Sequence, residues 1–272
     1  MNILIPKNCI LLIISLLGTE IFAQNLPTER NIQEASYWFN FNFEYFNKHG
    51  SMFFAESSWR HSASPLAENF SIAPIYLIQH TLGYEFHLSN QWGIGILGKY
   101  VMQKRFDVFF SKIYLNHSGK IKNIEFFKQI GVEQVNYLSR TLENQGRFSG
   151  QVGLAHNFAL SNGHILRPSL TYDLLIWFDW RNPAIPQNKR RIDQTRLKAE
   201  IAYFINKQWS WGLFFMHETD YFFALAQFDK DGVMIKPDRR LNILTPTIGL
   251  RLHYLLKNKD IGEEIRLRFL PY

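Results

Sequence analysis

Apolar and polar residues alternate along most of this chain with a period of two. Tyr37, Phe39, Phe41, Phe43 and Tyr45 alternate with Trp38, Asn40, Asn42 and Glu44; Leu244, Pro246, Ile248, Leu250, Leu252 and Tyr254 alternate with Thr245, Thr247, Gly249, Arg251 and His253. A strand points successive side chains to opposite faces, so each run is a ribbon with one apolar and one polar face. Two such runs between Phe148 and Phe178 are joined by Ser161-Asn162-Gly163, and Asn-Gly between alternating runs signals a hairpin. Similar pairs flank Asn47 to Gly50, Ser89 to Gln91 and Asn206 to Gln208. Phe106 to His117 and Ile124 to Arg140 read as two strands around Ser118-Gly119-Lys120, and the adjacent Phe126 and Phe127 predict a bulge. His61 to Ser71, Arg181 to Asp193 and Ala226 to Leu241 read as loops, and Glu263 to Tyr272 as a last strand. The pattern predicts one all-β domain, an antiparallel transmembrane β-barrel of about twelve strands.

The 272-residue chain divides into a secretory signal over residues 1–23, a polar lead over 24–35 and the barrel over 36–272. The signal reads from Lys7, the short apolar run Ile10 to Leu17 and Ala23 before Gln24. Cys9 is the single cysteine, which leaves the exported chain without disulfides or thiol chemistry. No later stretch approaches the ~18 apolar residues of a spanning helix, yet 16% of the residues are aromatic and 24 are Phe. Tyr37, Trp59, Trp92, Tyr100, Trp177, Trp180, Trp209, Trp211 and Tyr254 gather near strand ends, as interfacial girdles do. The net charge of +7 suits anionic partners or an ordinary solvated surface.

The polar face carries charge of both signs in mid-strand. Glu44, Glu56, Arg60, Glu85, Arg167, Asp173, Arg196, Lys198, Glu200, Glu218, Arg251 and Arg266 form the expected lumen network. On a soluble sandwich this face would be the wet exterior; in a narrow barrel its charges must pair. With its exported alternating hairpins, its early Trp38 strand and a second strand ending in Trp59-Arg60, the chain resembles bacterial outer-membrane β-barrels over almost its whole mature length. At scattered positions it is similar to the domain-of-unknown-function 2490 family. The resemblance implies a bacterial outer-membrane location, contact with outer-membrane lipid and lipopolysaccharide, assembly by the barrel-assembly machinery, and no defined activity. Two features depart from the pattern: Tyr272 is out of phase with Ile265, Leu267 and Phe269, and the short turns follow odd-numbered strands counted from Tyr37.

Candidate chemistry is sparse. His87 and Ser89 have the His-x-Ser spacing of outer-membrane lipid hydrolases, which makes a phospholipase- or deacylase-like enzyme the alternative to a non-enzymatic structural or narrow-pore barrel. Gln91 stands where the phospholipase pattern has Gly, and Arg60-His61-Ser62 runs into a loop. Neighbouring His217 and Glu218 point to opposite faces, and Asp229 to Gly232 reads as a turn, so no metal or other cofactor is expected. Basic residues share their face with acids, which argues against nucleic acid. Lys189, Arg190 and Arg191, and Arg239 and Arg240, fall in polar connections where they could meet lipopolysaccharide phosphates.

Overall fold

The computed structural model describes residues 28–62, 77–103, 107–138, 144–161, 163–178 and 192–257. The expected signal, the connections at 63–76 and 179–191, and the segment Glu263 to Tyr272 lie outside them. The strands are β1 (Thr28–Ile32), β2 (Ser36–Phe46), β3 (Met52–Ser62), β4 (Leu77–His87), β5 (Trp92–Met102), β6 (Val108–Ile121), β7 (Ile124–Tyr137) and β8 (Gln145–His156). There follow β9 (Phe158–Ala159), β10 (Ile165–Phe178), β11 (Ile192–Phe204), β12 (Trp209–Ala224), β13 (Gln227–Phe228), β14 (Met234–Lys236) and β15 (Arg239–Lys257).

Each long strand pairs antiparallel with the next in sequence from β2 to β15, β8 pairing with β10. β15 then pairs with β2 in parallel, Thr247 beside Ser36 through Lys257 beside Phe46, and closes an eleven-stranded barrel. The parallel seam corrects the all-antiparallel expectation and has a simple cause. With an odd number of strands each antiparallel to the one before, the first and last must run the same way. Part of the polar lead is also ordered into sheet: β1 runs parallel to the start of β15, with Thr28 opposite Arg240 and Ile32 opposite Leu244.

Following the pairing once around the circuit returns to β2 about fourteen residues out of register. With strands about 4.4–4.8 Å apart, that stagger tilts them by roughly 44° and sets a backbone radius of about 11 Å. An eleven-residue strand so tilted rises about 26 Å, close to the apolar band of an outer-membrane barrel.

The middle strands differ from the sequence expectation. Ser118, Gly119 and Lys120 lie inside β6, and the chain reverses at Lys122 and Asn123, with Lys122 at a φ of 54°. No bulge occurs at Phe126 and Phe127; β6 and β7 stay in register from Val108–Tyr137 to Ile121–Ile124. Phe127 points inward over Gly153 and Phe126 outward over Gly119, so two adjacent rings obey one alternation. The register irregularity occurs instead at Leu175 and Ile176 against β11. The expected loop over Ala226 to Leu241 contains the hairpin β13–β14 and the start of β15.

The distribution of side chains is inverted relative to a water-soluble protein. Asn40, Asn42, Glu44, Glu56, Glu85, Lys112, Glu133, Arg167, Lys198, Glu200 and Glu218 are buried inside, while Phe39, Leu82, Ile96, Ile113, Ile130, Leu170, Leu213 and Phe215 are exposed outside. Inward aromatic rings fit because an inward glycine on the next strand makes room. Phe54 lies over Gly83, Tyr114 over Gly95, Phe127 over Gly153 and Phe214 over Gly249, each so close that a Cβ would fall within about 2.2 Å of a ring atom.

Candidate functional site

The barrel interior is the candidate site. Neighbouring inward residues come into contact because every second residue of each tilted strand faces the axis. Arg60 of β3 donates to Glu218 of β12 at 3.0 Å, a contact that bridges the two strands, β2 and β15, lying between them in the wall. Arg196 donates to the same carboxylate at 2.7 Å from the adjoining strand. Glu200 is held by Lys198 at 2.8 Å and by Arg251. Arg147 pairs with Glu133, its Nε donating at 2.7 Å, and with Asp193 at 2.9 Å. Arg167 donates to Glu125 at 2.9 Å. Glu56 accepts from Ser58 at 3.0 Å, and Glu85 from Tyr114 at 3.2 Å and Asn116 at 3.3 Å. Most of these charges are paired with one another, as charges withdrawn from bulk water require, while Glu56 and Glu85 accept from neutral hydroxyl and amide groups.

Apolar clusters sit at both ends of this polar band. Phe46, Met52, Phe54, Leu97, Tyr114 and Leu255 pack toward the short turns. Val101, Val108 and Val135, with Phe110, Tyr137 and Trp177 against them, pack toward the long connections. Cations also rest on rings inside: Lys99 Nζ lies 4.3 Å from the Phe110 centroid and the Arg147 guanidinium 4.9 Å from the same ring. Between Lys112, Gln129, Ser149, Gln151, Asp173 and Arg196 lies a polar cavity of about 20 Å³, room for about one water.

Of the residues singled out from sequence, Glu44, Glu56, Arg60, Glu85, Arg167, Lys198, Glu200 and Glu218 are buried inside, and Asp173, Arg196 and Arg251 face inward with partial exposure. Arg266 lies outside the described residues, as do Lys189, Arg190, Arg191 and Trp180. Arg239 and Arg240, expected in a loop, are the first residues of β15, because β1 lies beside that segment and extends the sheet. Arg239 Nε donates to Glu29 at 2.6 Å. Trp177, expected in an outer girdle, packs inward with the Arg147 guanidinium 5.6 Å from its ring. Lys112, Glu133, Arg147 and Glu125 join the network without having been singled out. Their signal was present in Lys112, Tyr114 and Asn116 alternating with Ile113 and Leu115, but a turn placed four residues early loses the phase.

The His-x-Ser pair is committed elsewhere. The His87 ring lies over Gly50 of the first turn, and Ser89 Oγ accepts from the backbone N–H groups of Gln91 at 3.3 Å and Trp92 at 3.2 Å. A second line of suitable residue types runs inside: Ser210 Oγ is 3.3 Å from His253 Nδ1, whose Nε2 is 3.4 Å from Glu44 Oε2. Ser210 and Glu44 are each 2% exposed, so a substrate has no approach to the hydroxyl. His217 and Glu218 do face opposite ways, and Asp229 Oδ1 caps the β13–β14 turn by accepting from Asp231 and Val233. No family model matches this sequence, and no curated protein does.

Proposed function

We propose that the chain is an integral outer-membrane β-barrel, exported by its leader, with a structural or poorly conducting narrow-pore role. The observation that carries this is the inversion of side chains: charged and amide groups inside, aliphatic and aromatic groups outside. Water would penalise that exterior and leave the interior ion pairs without an advantage; a bilayer reverses both terms. Outward rings near the short turns support the same reading. Trp209 is 4.5 Å from Tyr254, Trp92 4.5 Å from His117 and Tyr84 4.7 Å from Phe86. Toward the long connections Phe39 is 5.6 Å from Trp59 and Phe148 4.3 Å from Phe178. Aromatic rings gathered at both ends of the apolar band are what an interfacial environment favours.

Eleven strands lie between the side-chain-filled barrels of eight and the open channels of sixteen or more. The Arg60–Glu218 contact past two intervening strands and the small polar cavity support a reading of this barrel at the filled end. The test is fractionation with a heat-modifiable gel shift, followed by planar-bilayer recording. A detergent-requiring, heat-modifiable band with small or no single-channel currents is expected. Release of folded protein without detergent would overturn membrane placement, and a large steady conductance would overturn the filled lumen.

A further inference from the structure

Lys128 is an anomaly on the outer face. Among the described residues of the barrel strands it is the one Lys, Arg, Asp or Glu that projects outward between the rims, on a strand whose other outward residues include Phe126, Ile130 and Val132. A cation on such a face is costly toward the midplane and nearly neutral at the interface, where a long side chain can turn its charge to the headgroups. Lys128 does this: its Nζ lies 5.5 Å from the centroid of Phe126, two residues nearer the β6–β7 turn. His117 is its register partner on β6, and the His117 ring packs, tilted, with its centroid 4.5 Å from that of Trp92, its own partner on β5. Trp92, His117 and Lys128 therefore form one outward row across three strands, at the level of the short turns.

Directly along the same strands lies an apolar groove of about 630 Å³, lined on the outer face by Phe53, Leu82, Ile96, Phe109, Ile113 and Val132. Its origin is local: Gly98 and Ser111 are small outward residues, opposite each other, between bulkier neighbours. The row Ile96, Ile113 and Val132 lies four residues from the row Trp92, His117 and Lys128, about 13 Å along the strands. That is the layout of one phospholipid, with a phosphate at the cationic head and an acyl chain down the groove. Charge supports the same occupant. The turns and strand ends at this end carry Lys48, Lys120, Lys122 and Lys207, and the acid beside them among the described residues, Glu125, is held by Arg167 and Asn157.

We infer that this face is a binding site for an anionic phospholipid, its phosphate on Lys128 and His117 beside Trp92 and its acyl chain in the groove between β3 and β7. The inference rests on the membrane reading above. The test reconstitutes the mature chain in phosphatidylcholine vesicles with or without phosphatidylglycerol, either lipid carrying brominated chains, and reads quenching of tryptophan fluorescence. Wild-type protein should prefer brominated phosphatidylglycerol at low salt. Lys128→Gln should reduce that preference by about fivefold, the effect of one lysine at an anionic surface. Ser111→Phe, which fills the groove without adding a fluorophore, should reduce it with the charge intact, and Lys230→Gln with Lys236→Gln on the distal hairpin should leave it unchanged. Equal quenching by both lipids, or a preference indifferent to Lys128 and Ser111, overturns the site while leaving the barrel in the bilayer. Absence of quenching by either brominated lipid overturns the membrane reading, and the site with it.

Discussion

Glu218 ties β12 to β3 past the two strands between them, and replacing it with Ala should be among the most damaging single changes in the lumen. Its carboxylate is 3% exposed and accepts from Arg60 at 3.0 Å and Arg196 at 2.7 Å. Hydrogen bonds to charged groups contribute about 1.5–3 kcal/mol each, and removing one partner from a buried pair costs about 3–5 kcal/mol because the other charge is stranded. Two guanidinium groups would be stranded here, but Arg196 faces Asp173 across β10 and β11 and can turn to it. The loss should therefore lie near 3 kcal/mol, about a hundredfold in the folding equilibrium. Arg60→Ala removes the strut and leaves Glu218 with Arg196, so its cost should be smaller, about 1–2 kcal/mol. Urea unfolding in lipid vesicles, followed by tryptophan fluorescence and heat-modifiable mobility, reads both values. Both variants should also raise single-channel conductance, since each removes a contact inside the lumen. If Glu218→Ala unfolds within about 0.5 kcal/mol of wild type, the range of an ordinary surface substitution, the lumen is wet enough to screen these charges and the argument fails.

Phe41 sits mid-strand on the outer face, and Phe41→Arg should cost about 2–4 kcal/mol in a vesicle folding assay, whereas Ile124→Arg beside the β6–β7 turn should cost about 0–1 kcal/mol. Equal costs at the two depths would remove the lipid-facing assignment. Gly249→Leu places a Cβ 2.0 Å from the Phe214 ring and should destabilise by about 1–3 kcal/mol, with partial rescue by Phe214→Ala in a double-mutant cycle. Additive effects would mean that the ring and the glycine are not in contact. Cysteines in place of Phe41 and Leu252, which the parallel seam sets opposite each other, should form a disulfide that speeds migration on a denaturing gel. A further strand from Glu263 to Tyr272 inserted between β15 and β2 would separate them and abolish the cross-link.

Period-two alternation, read locally, was enough to place most strands. Ser36–Phe46, Leu77–His87 and Trp209–Ala224 begin or end within about two residues of the runs visible in the sequence, because one face of each is uniformly apolar and the turns between them carry Asn, Ser or Gly. The same alternation marked which acids and bases share the inward side. It lost phase between Phe106 and Arg140, where glycine-backed aromatic rings put Phe126 and Phe127 on opposite faces and hide the period. Pairing between distant strands was not legible at all. The parallel seam from Thr247 to Lys257 joins residues more than two hundred positions apart, and the Arg60–Glu218 strut depends on how strand number and stagger set the radius. A sequence states which face each residue takes; only closure of the sheet decides which residues meet inside the lumen, and which small outward residues line up into a groove.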